Sequence, residues 1–413
     1  MFNKLIKEKY YCGLDIGSQR IKAAILKVKD ASHLEVLATS VNKIYGFKEN
    51  DVIDLAEFSE CVNSILTHLT KRAEVKIKEV QVGLSSHWVE PREINTVIPL
   101  TDRGSKVITQ RDINKANHQA RLLALKMDEE LLHELPQSYR ADEVNSIVNP
   151  LGLSARKLGV HSLMMVTNIT AIQNLLRAIA QAGFDVGPLC LSSYMAADMV
   201  LNEEDKKEGC ILVDMGAKVT TVLIFKDQGL KYISKINMGG NHLTENIARS
   251  LNLPFDVAEE IKKSYASAAI DQQHMSEEIL IKKEFGFVPI KRQLVIEAVT
   301  PFLEQWSGLL QESFKTSSLF EELRGGIIFI GGGVLLSGLL ENISQRIALP
   351  VGLGKIHIPS LKNAGNPCLT CSAVGLAYRG YQKSLRYVLS KDTPLSWRKN
   401  LTGKLKELYE DYF

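Results

Sequence analysis

Two stretches about two hundred residues apart carry the same alternation of apolar and turn-forming positions. In residues 11–27, YCGLDIGSQRIKAAILK, the apolar segments 11–14 and 21–26 read as strands joined by a tight turn at Asp15-Ile16-Gly17-Ser18. In residues 209–225, GCILVDMGAKVTTVLIF, an apolar strand again runs into Asp214-x-Gly216, a short turn and a second apolar strand. A third apolar run, 327–330, ends in Gly331-Gly332-Gly333 and leads into a helix-like 335–347. Asp-x-Gly alone is ordinary hairpin punctuation. Two such hairpins, followed late in the chain by strand, triple glycine and helix, predict an α/β protein built from two related halves.

The segments between them fill in that plan. Strand-like 34–39 and the extended 50–54 precede a helix capped by Asp54, with Ala56, Phe58, Val62, Ile65, Leu66 and Leu69 at helical spacing. Residues 80–84 form the next strand. From Ser85 the texture changes to strand 94–100, helix 111–125 opened by Thr109, extended 134–142, the turn Asn149-Pro150-Leu151-Gly152 and strand 156–167. A small α/β unit is therefore expected to be inserted over 85–166. An amphipathic helix follows from Asn168, with Ile169, Ile172, Leu175, Leu176 and Ile179 on one face and Gly183 at its end. Strand 184–191, helix 192–201 and a charged, solvated link 202–208 complete the first half.

In the second half, strand 233–238 runs into Gly239-Gly240-Asn241-His242 and a helix over 243–251. A long helix is expected over 294–314, and closing helices, one of them over 372–379, before 383. The resulting division is 1–84 and 167–208 for the first half around the insert at 85–166, then 209–245, 246–325 and 326–389 for the second, with a linker and tail at 390–413.

At 413 residues the chain can hold two or three domains, and 45% hydrophobic residues is ordinary for a folded protein. A net charge of +3 offers no field for nucleic acid, so no nucleic-acid partner is expected. No run of about 18 apolar residues and no leader-like N-terminus is present, which places the chain in the cytoplasm as an expectation. The six cysteines include one close pair, Cys368 and Cys371, without a second ligand pair, and read as small residues at a helix start. The nine histidines form no metal-spaced cluster.

The hairpins hold the candidate chemistry. Gly17 lets the backbone approach a ligand, and successive amides at such a turn can hold an anion. Asp15 can order the waters of a magnesium ion, and Lys22 can set a point charge beside phosphate oxygens. Glycines at 239 and 240 can admit a nucleotide at a helix start or simply make a turn. Glu259 and Lys262, one helical turn apart, can embrace a ribose or pair with each other.

The tail SWRKNLTGKLKELYEDYF places Trp397, Leu401, Leu405, Leu408 and Tyr412 on one stripe, ending at Phe413. Arg398, Lys399, Lys404 and Lys406 lie on the polar side, with acids only from Glu407 onward. Such a helix can lie in a lipid headgroup layer with Trp397 as anchor, or dock on its own domain.

Several segments resemble FtsA, the actin-like bacterial cell-division family: GLDIGS near the start, NPLGLSARKLGVHSLMMVT at 149–167, GGNHLTENIA at 239–248, AEEIK at 258–262, KRQLVIEAVTP at 291–301, and the last glycine turn. The insert falls where that family carries its own extra subdomain. The resemblance implies an actin-like ATPase fold, ATP with Mg2+ held between the halves, self-assembly into filaments, and tethering of the FtsZ ring through FtsZ's C-terminal peptide. It implies a location on the inner face of the cell membrane at the septum, with other division proteins as further partners.

Carried over position by position, Asp15, Gly17, Ser18 and Lys22 would surround phosphate and metal from the first half. Asp214 and Gly216 would do so from the second, with Asp15 and Asp214 as the metal carboxylates. Gly239, Gly240, Glu259, Lys262, Gly331, Gly332 and Gly333 would line the nucleoside side. The FtsZ peptide is expected near the 294–314 helix, where Lys291 and Arg292 could meet its acidic side chains. One departure stands out: Ala217-Lys218-Val219 replaces the family's glycines after Asp214-x-Gly216, so hydrolysis is expected to be slow at most, with Lys218 neutralising phosphate charge. The competing expectations are a PilM-type adaptor of type IV pili and, less favoured, a sugar kinase or phosphatase of the same superfamily. No carboxylate is singled out by spacing as a general base for the latter.

Overall fold

The computed structural model describes residues 8–30, 33–48, 51–269, 277–283, 286–358, 360–361 and 365–392. The tail from Trp397 to Phe413 lies outside the described residues. Strand Lys9–Ile16 turns at Gly17 into Arg20–Asp30, and His33–Lys43 returns antiparallel to it. The turn is closed by the Gly17 N–H, which donates to the Arg20 carbonyl at 3.1 Å. Helix α1 (Leu55–Ala73) starts where the Asp54 side chain accepts from the Glu57 amide, and it buries Phe58, Val62, Ile65, Leu66 and Leu69 as their spacing predicts, while Ala56 in its first turn is exposed.

Strands Glu79–Leu84 and Asp185–Leu191 add in parallel beyond the first strand. The sheet order is Asp185–Leu191, Glu79–Leu84, Lys9–Ile16, Arg20–Asp30, His33–Lys43 and the two-residue Ser360–Leu361.

Between Glu79–Leu84 and Asp185–Leu191 the chain makes a separate four-stranded antiparallel sheet, in the order Val144–Ile147, Glu129–Ala141, Lys157–Asn168, Glu90–Pro99. Helix α2 (Gln110–Ala124) covers it with Ile113, Ala116 and Ala120, and its first turn is closed by reciprocal Thr109 and Asp112 bonds. Helix α3 (Ile169–Gln181), capped by Asn168, returns to the first half, where it packs against α1. Helix α4 (Ser192–Val200) then leads to the second half.

The expected solvated link at 202–208 is instead a short helix, α5 (Glu203–Glu208). The Asn202 side chain accepts from the Asp205 amide, and Lys206 is buried between Asp198 and Glu203 at 3.1 and 3.2 Å. Those three partners turn a charge run into structure.

The second half repeats the first. Its sheet runs Gly229–Ile236, Thr220–Lys226, Cys210–Met215, Ile327–Ile330, Val351–Leu353, an antiparallel meander of three followed by two parallel strands. Order and sense match those of the first half's five long strands. Helices α6 (Gly240–Leu251), α7 (Phe255–Tyr265) and α8 (Arg292–Thr316) form the layer beyond it. Trp306 of α8 is fully buried, which stabilises by about 1.5–3 kcal/mol, and its Nε1–H donates to Thr220 Oγ1 at 3.0 Å.

The helix expected over 335–347 is a 3-10 turn at Gly333–Leu335 and a separate short helix, α9 (Leu339–Ser344). Gly338 at φ +71° breaks the run.

The closing helix, α10 (Pro367–Asp392), is far longer than the expected 372–379 segment and includes residues 390–392 of the expected linker. It lies on the first half's sheet and against α4 at backbone contact. A Cβ at Gly13 would stand 2.0 Å from the Ala373 carbonyl oxygen, and one at Gly375 would stand 2.0 Å from that of Met195. Cys368 and Cys371 are buried free thiols in its first turns.

Candidate functional site

The two Asp-x-Gly hairpins end at one cleft of about 520 Å³ between the halves. Antiparallel pairing sets Asp15 directly opposite Lys22, and Lys22 Nζ lies 2.8 Å from Asp15 Oδ2. Ser192 at the start of α4 donates to Asp15 Oδ1 at 2.6 Å, and Ser372 of α10 donates to Oδ2 at 2.5 Å. Burial alone would push the Asp15 carboxyl up, but the Lys22 charge and these bonds outweigh it and hold it below its ordinary value. Burial likewise opposes the Lys22 charge, and the carboxylates of Asp15 and Asp214 outweigh it, so Lys22 is raised.

The Asp214 side chain, at the matching place in the second half, is held by no hydrogen bond among the described residues. Burial pushes it up to about 6, against Lys22 and with the help of the Asp15 charge. Lys22 therefore serves two carboxylates from opposite halves, with one of them already saturated.

Twelve of the residues carried over from the resemblance line this cleft: Asp15, Gly17, Ser18, Lys22, Asp214, Gly216, Gly240, Glu259, Lys262, Gly331, Gly332 and Gly333. Gly331 sits at φ +93°, where a Cβ would come 2.6 Å from Asp214 Oδ1 and 2.5 Å from the Met215 carbonyl oxygen. Only glycine brings that strand end so close to the second hairpin. Glu259 and Lys262 take the pairing expected of their spacing and also line the cleft. They pair at 2.6 Å, Thr244 donates to Glu259 at 2.6 Å, Lys262 donates to the Gly240 carbonyl at 3.0 Å, and both still face the cleft. Burial opposes the Glu259 charge, but the Lys262 and Thr244 bonds outweigh it and keep it ionised.

Three positions stand elsewhere. Gly239 is not in the cleft wall but is pressed on the second hairpin, where a Cβ would meet the Gly216 and Ala217 carbonyl oxygens at 2.5 and 2.8 Å. The Gly240 and Asn241 amides donate to those same carbonyls at 3.0 and 2.7 Å, so the first turn of α6 is tied to the hairpin tip. Lys218 lies outside the cleft wall, close enough to His87 to help depress that imidazole's basicity after burial and Lys235. Its expected contact with phosphate is thus not prepared in this arrangement. Lys291 is exposed, whereas Arg292 turns into the cleft wall and pairs with Glu277 at 3.0 Å.

Several residues of the site were not singled out from the chain: Ser192, Ser193 and Asn241 in the cleft wall, and, buried behind it, Ser372 on Asp15 and Thr244 on Glu259. Ser193 Oγ, Asn241 Oδ1 and Arg292 Nε are all buried without a hydrogen-bond partner, and all three residues line the cleft. The amides of Ser18, Ala217 and Gly332 at the loop tips also donate to no acceptor among the described residues. Buried polar groups are normally paired, so such a concentration fits a polar, anionic ligand bound here. A divalent cation fits more narrowly. Among the described residues no group of three His, Cys, Asp or Glu could hold one. With Asp15 committed, Asp214 is the carboxylate free to order a hydrated ion beside phosphate oxygens.

A family model described as "Cell division protein FtsA" matches residues 211–375, and one described as "SHS2 domain inserted in FTSA" matches 89–166. The Cell division protein FtsA of Pseudomonas aeruginosa is 26% identical over 378 residues, covering 91% of this chain and 90% of that protein. That of Escherichia coli K12 is 23% identical over 419 residues, covering 98% and 99%. Among solved structures, a PilM-PilN type IV pilus biogenesis complex matches with TM-score 0.63 and 18% identity over 90% of this chain and 98% of that one. MreB5 of Spiroplasma citri bound to ADP matches with TM-score 0.53 and 11% identity over 92% and 98%. These structural likenesses show an actin-like ATPase fold.

Proposed function

Because the chain belongs to the FtsA family of actin-like cell division proteins, we propose that it binds ATP with Mg2+ between its two halves, polymerises on the inner face of the cytoplasmic membrane, and anchors the FtsZ ring at the septum. The observation that carries the nucleotide reading is the convergence of Ser193, Asn241 and Arg292, each with a partnerless buried polar atom, on a cleft bounded by both hairpins. In this reading Lys22 and the free tip amides of Ser18, Ala217 and Gly332 take the phosphates, and Glu259 accepts from ribose hydroxyls. Bound Mg2+ would neutralise phosphate charge, with Asp214 and the already paired Asp15 ordering its waters. A ligand held by hairpins of both halves favours the arrangement in which they approach, which couples nucleotide to filament geometry.

Hydrolysis is slow at most. Ala217 stands where the family's glycine would open the phosphate cradle.

Attachment to lipid is assigned to the tail, through Trp397, Leu401, Leu405, Leu408, Tyr412 and Phe413 on the apolar side and Arg398, Lys399 and Lys404 toward anionic headgroups. One such helix binds reversibly, and a filament presenting many of them converts weak binding into avidity. For the acidic FtsZ peptide, the exposed Lys291 is the proposed contact.

Calorimetric titration of the purified chain with ATP tests the nucleotide reading. One site per chain that needs Mg2+ is expected. Absence of binding would sink it, and phosphorylation of any sugar in a panel would instead sink the reading of the chain as a filament scaffold.

A further inference from the structure

We infer that Arg292 reads the nucleobase, donating from Nε–H to a ring-nitrogen acceptor of the purine, with Glu277 as the residue that positions it. This deepens the ATP reading and rests on it. Phosphate needs cations and amide donors, and the hairpin tips with Lys22 already supply them. Toward α7 the wall carries Glu259 paired with Lys262 and Lys263, whose charges are already matched and whose carboxylate suits a ribose hydroxyl, so base and sugar are assigned to the side built by α7 and the start of α8.

Arg292 opens α8 in that wall. Its Nη1 lies 3.0 Å from Glu277 Oε2, and its amide donates to the Glu277 carbonyl at 2.9 Å, so backbone and side chain are braced by one residue. The ion pair with Glu277 engages Nη1 and leaves the charged guanidinium's Nε–H as the donor turned to the cleft. Its Nε–H is shielded from water and has no acceptor among the described residues. A buried donor in that state is costly until something accepts from it. Adenine offers only acceptors at its ring nitrogens, and a small turn of the guanidinium about its Glu277 contact presents Nε–H to one of them. The same planar group has a face on which a base can stack.

The test is a coupling measurement with the full chain. ATP and its 1-deaza, 3-deaza and 7-deaza analogues, each lacking one ring-nitrogen acceptor, are titrated against wild type, Arg292→Ala and Glu277→Gln. In wild type one analogue should bind about tenfold more weakly than ATP, the size expected for a hydrogen bond to a charged group. In Arg292→Ala that difference should vanish, because the donor is gone. Glu277→Gln, a change at a half-exposed side chain that leaves the fold intact, should shrink the difference without abolishing it.

A merely structural role for Arg292 would weaken all four ligands alike and leave the difference in place, which overturns the inference. So does equal binding of all four by wild type. Unchanged nucleotide affinities in Arg292→Ala together with lost binding of an acidic peptide would place the residue in partner recognition instead. Failure of wild type to bind ATP at all would strike the proposed function rather than this assignment.

Discussion

Replacing Asp214 with asparagine should stabilise the nucleotide-free protein while weakening its response to Mg2+ and ATP. Burial lifts this carboxyl from its ordinary 3.8 to about 6, opposed by Lys22 and aided by the charge on Asp15. A carboxylate kept ionised against such a shift carries at most about 3 kcal/mol of unfavourable free energy at neutral pH. Asparagine keeps the shape and removes the charge. Part of the gain is returned because Lys22 loses the attraction of its second carboxylate, so a net increase of about 1–2 kcal/mol is expected.

The sign with pH follows from the direction of the shift. The folded form takes up a proton below about 6, whereas the unfolded chain does so only near 3.8, so wild-type stability rises as pH falls across that window. The penalty is complete above the window, and the advantage of Asp214→Asn should therefore fade as it is crossed. Urea denaturation of both nucleotide-free proteins, at about pH 7.5 and about pH 5, reads this directly. A variant less stable than wild type at the higher pH, or equally advantaged at both, would refute the reasoning.

Three further outcomes follow from the same geometry. Lys22→Met strands a buried Asp15 with only its two serine donors, and removing one partner of such a pair should cost about 3 kcal/mol in urea denaturation. An unchanged midpoint would mean that Asp15 is solvated. Gly375→Ala places a methyl group 2.0 Å from the Met195 carbonyl oxygen, so α4 and α10 must part; a loss of about 1–3 kcal/mol should appear as a lower melting temperature, and none would contradict the packing. Lys218→Ala should leave ATP affinity unchanged, because that side chain is not in the cleft wall, and a tenfold loss would return it to the phosphates.

The doubled architecture was legible because its signals are local. Apolar runs, the turns at Gly17 and Gly216, and the caps at Asp54, Thr109 and Asn168 each lie within a few residues of the element they define. What stayed hidden is made by folding. Ser192 and Ser372 reach Asp15 from 177 and 357 residues away, and no spacing along the chain announces either. The break at Gly338 depends on a left-handed backbone that a helical apolar pattern does not reveal. The run of α10 past 379 is held by contacts that exist only once the sheet is formed, the ring of Tyr11 against Tyr381 and its hydroxyl 2.6 Å from Ser384 Oγ. Lys218 stands at the hairpin tip between Ala217 and Val219, which line the cleft while it does not, a difference that adjacency in sequence does not announce. Arg292, adjacent to exposed Lys291, was grouped with it by sequence although the start of a helix sends the two side chains apart.

The central claim, an actin-like polymer held on a membrane by its tail, is tested most directly by negative-stain microscopy on an anionic lipid monolayer with ATP. The full chain is compared with one ending at Asp392, the last residue of α10, so that the fold is left whole. The account predicts lipid-bound filaments from the full chain and bare lipid from the shortened one. Equal coating of the lipid by both chains, or no filaments although ATP binds, would contradict it.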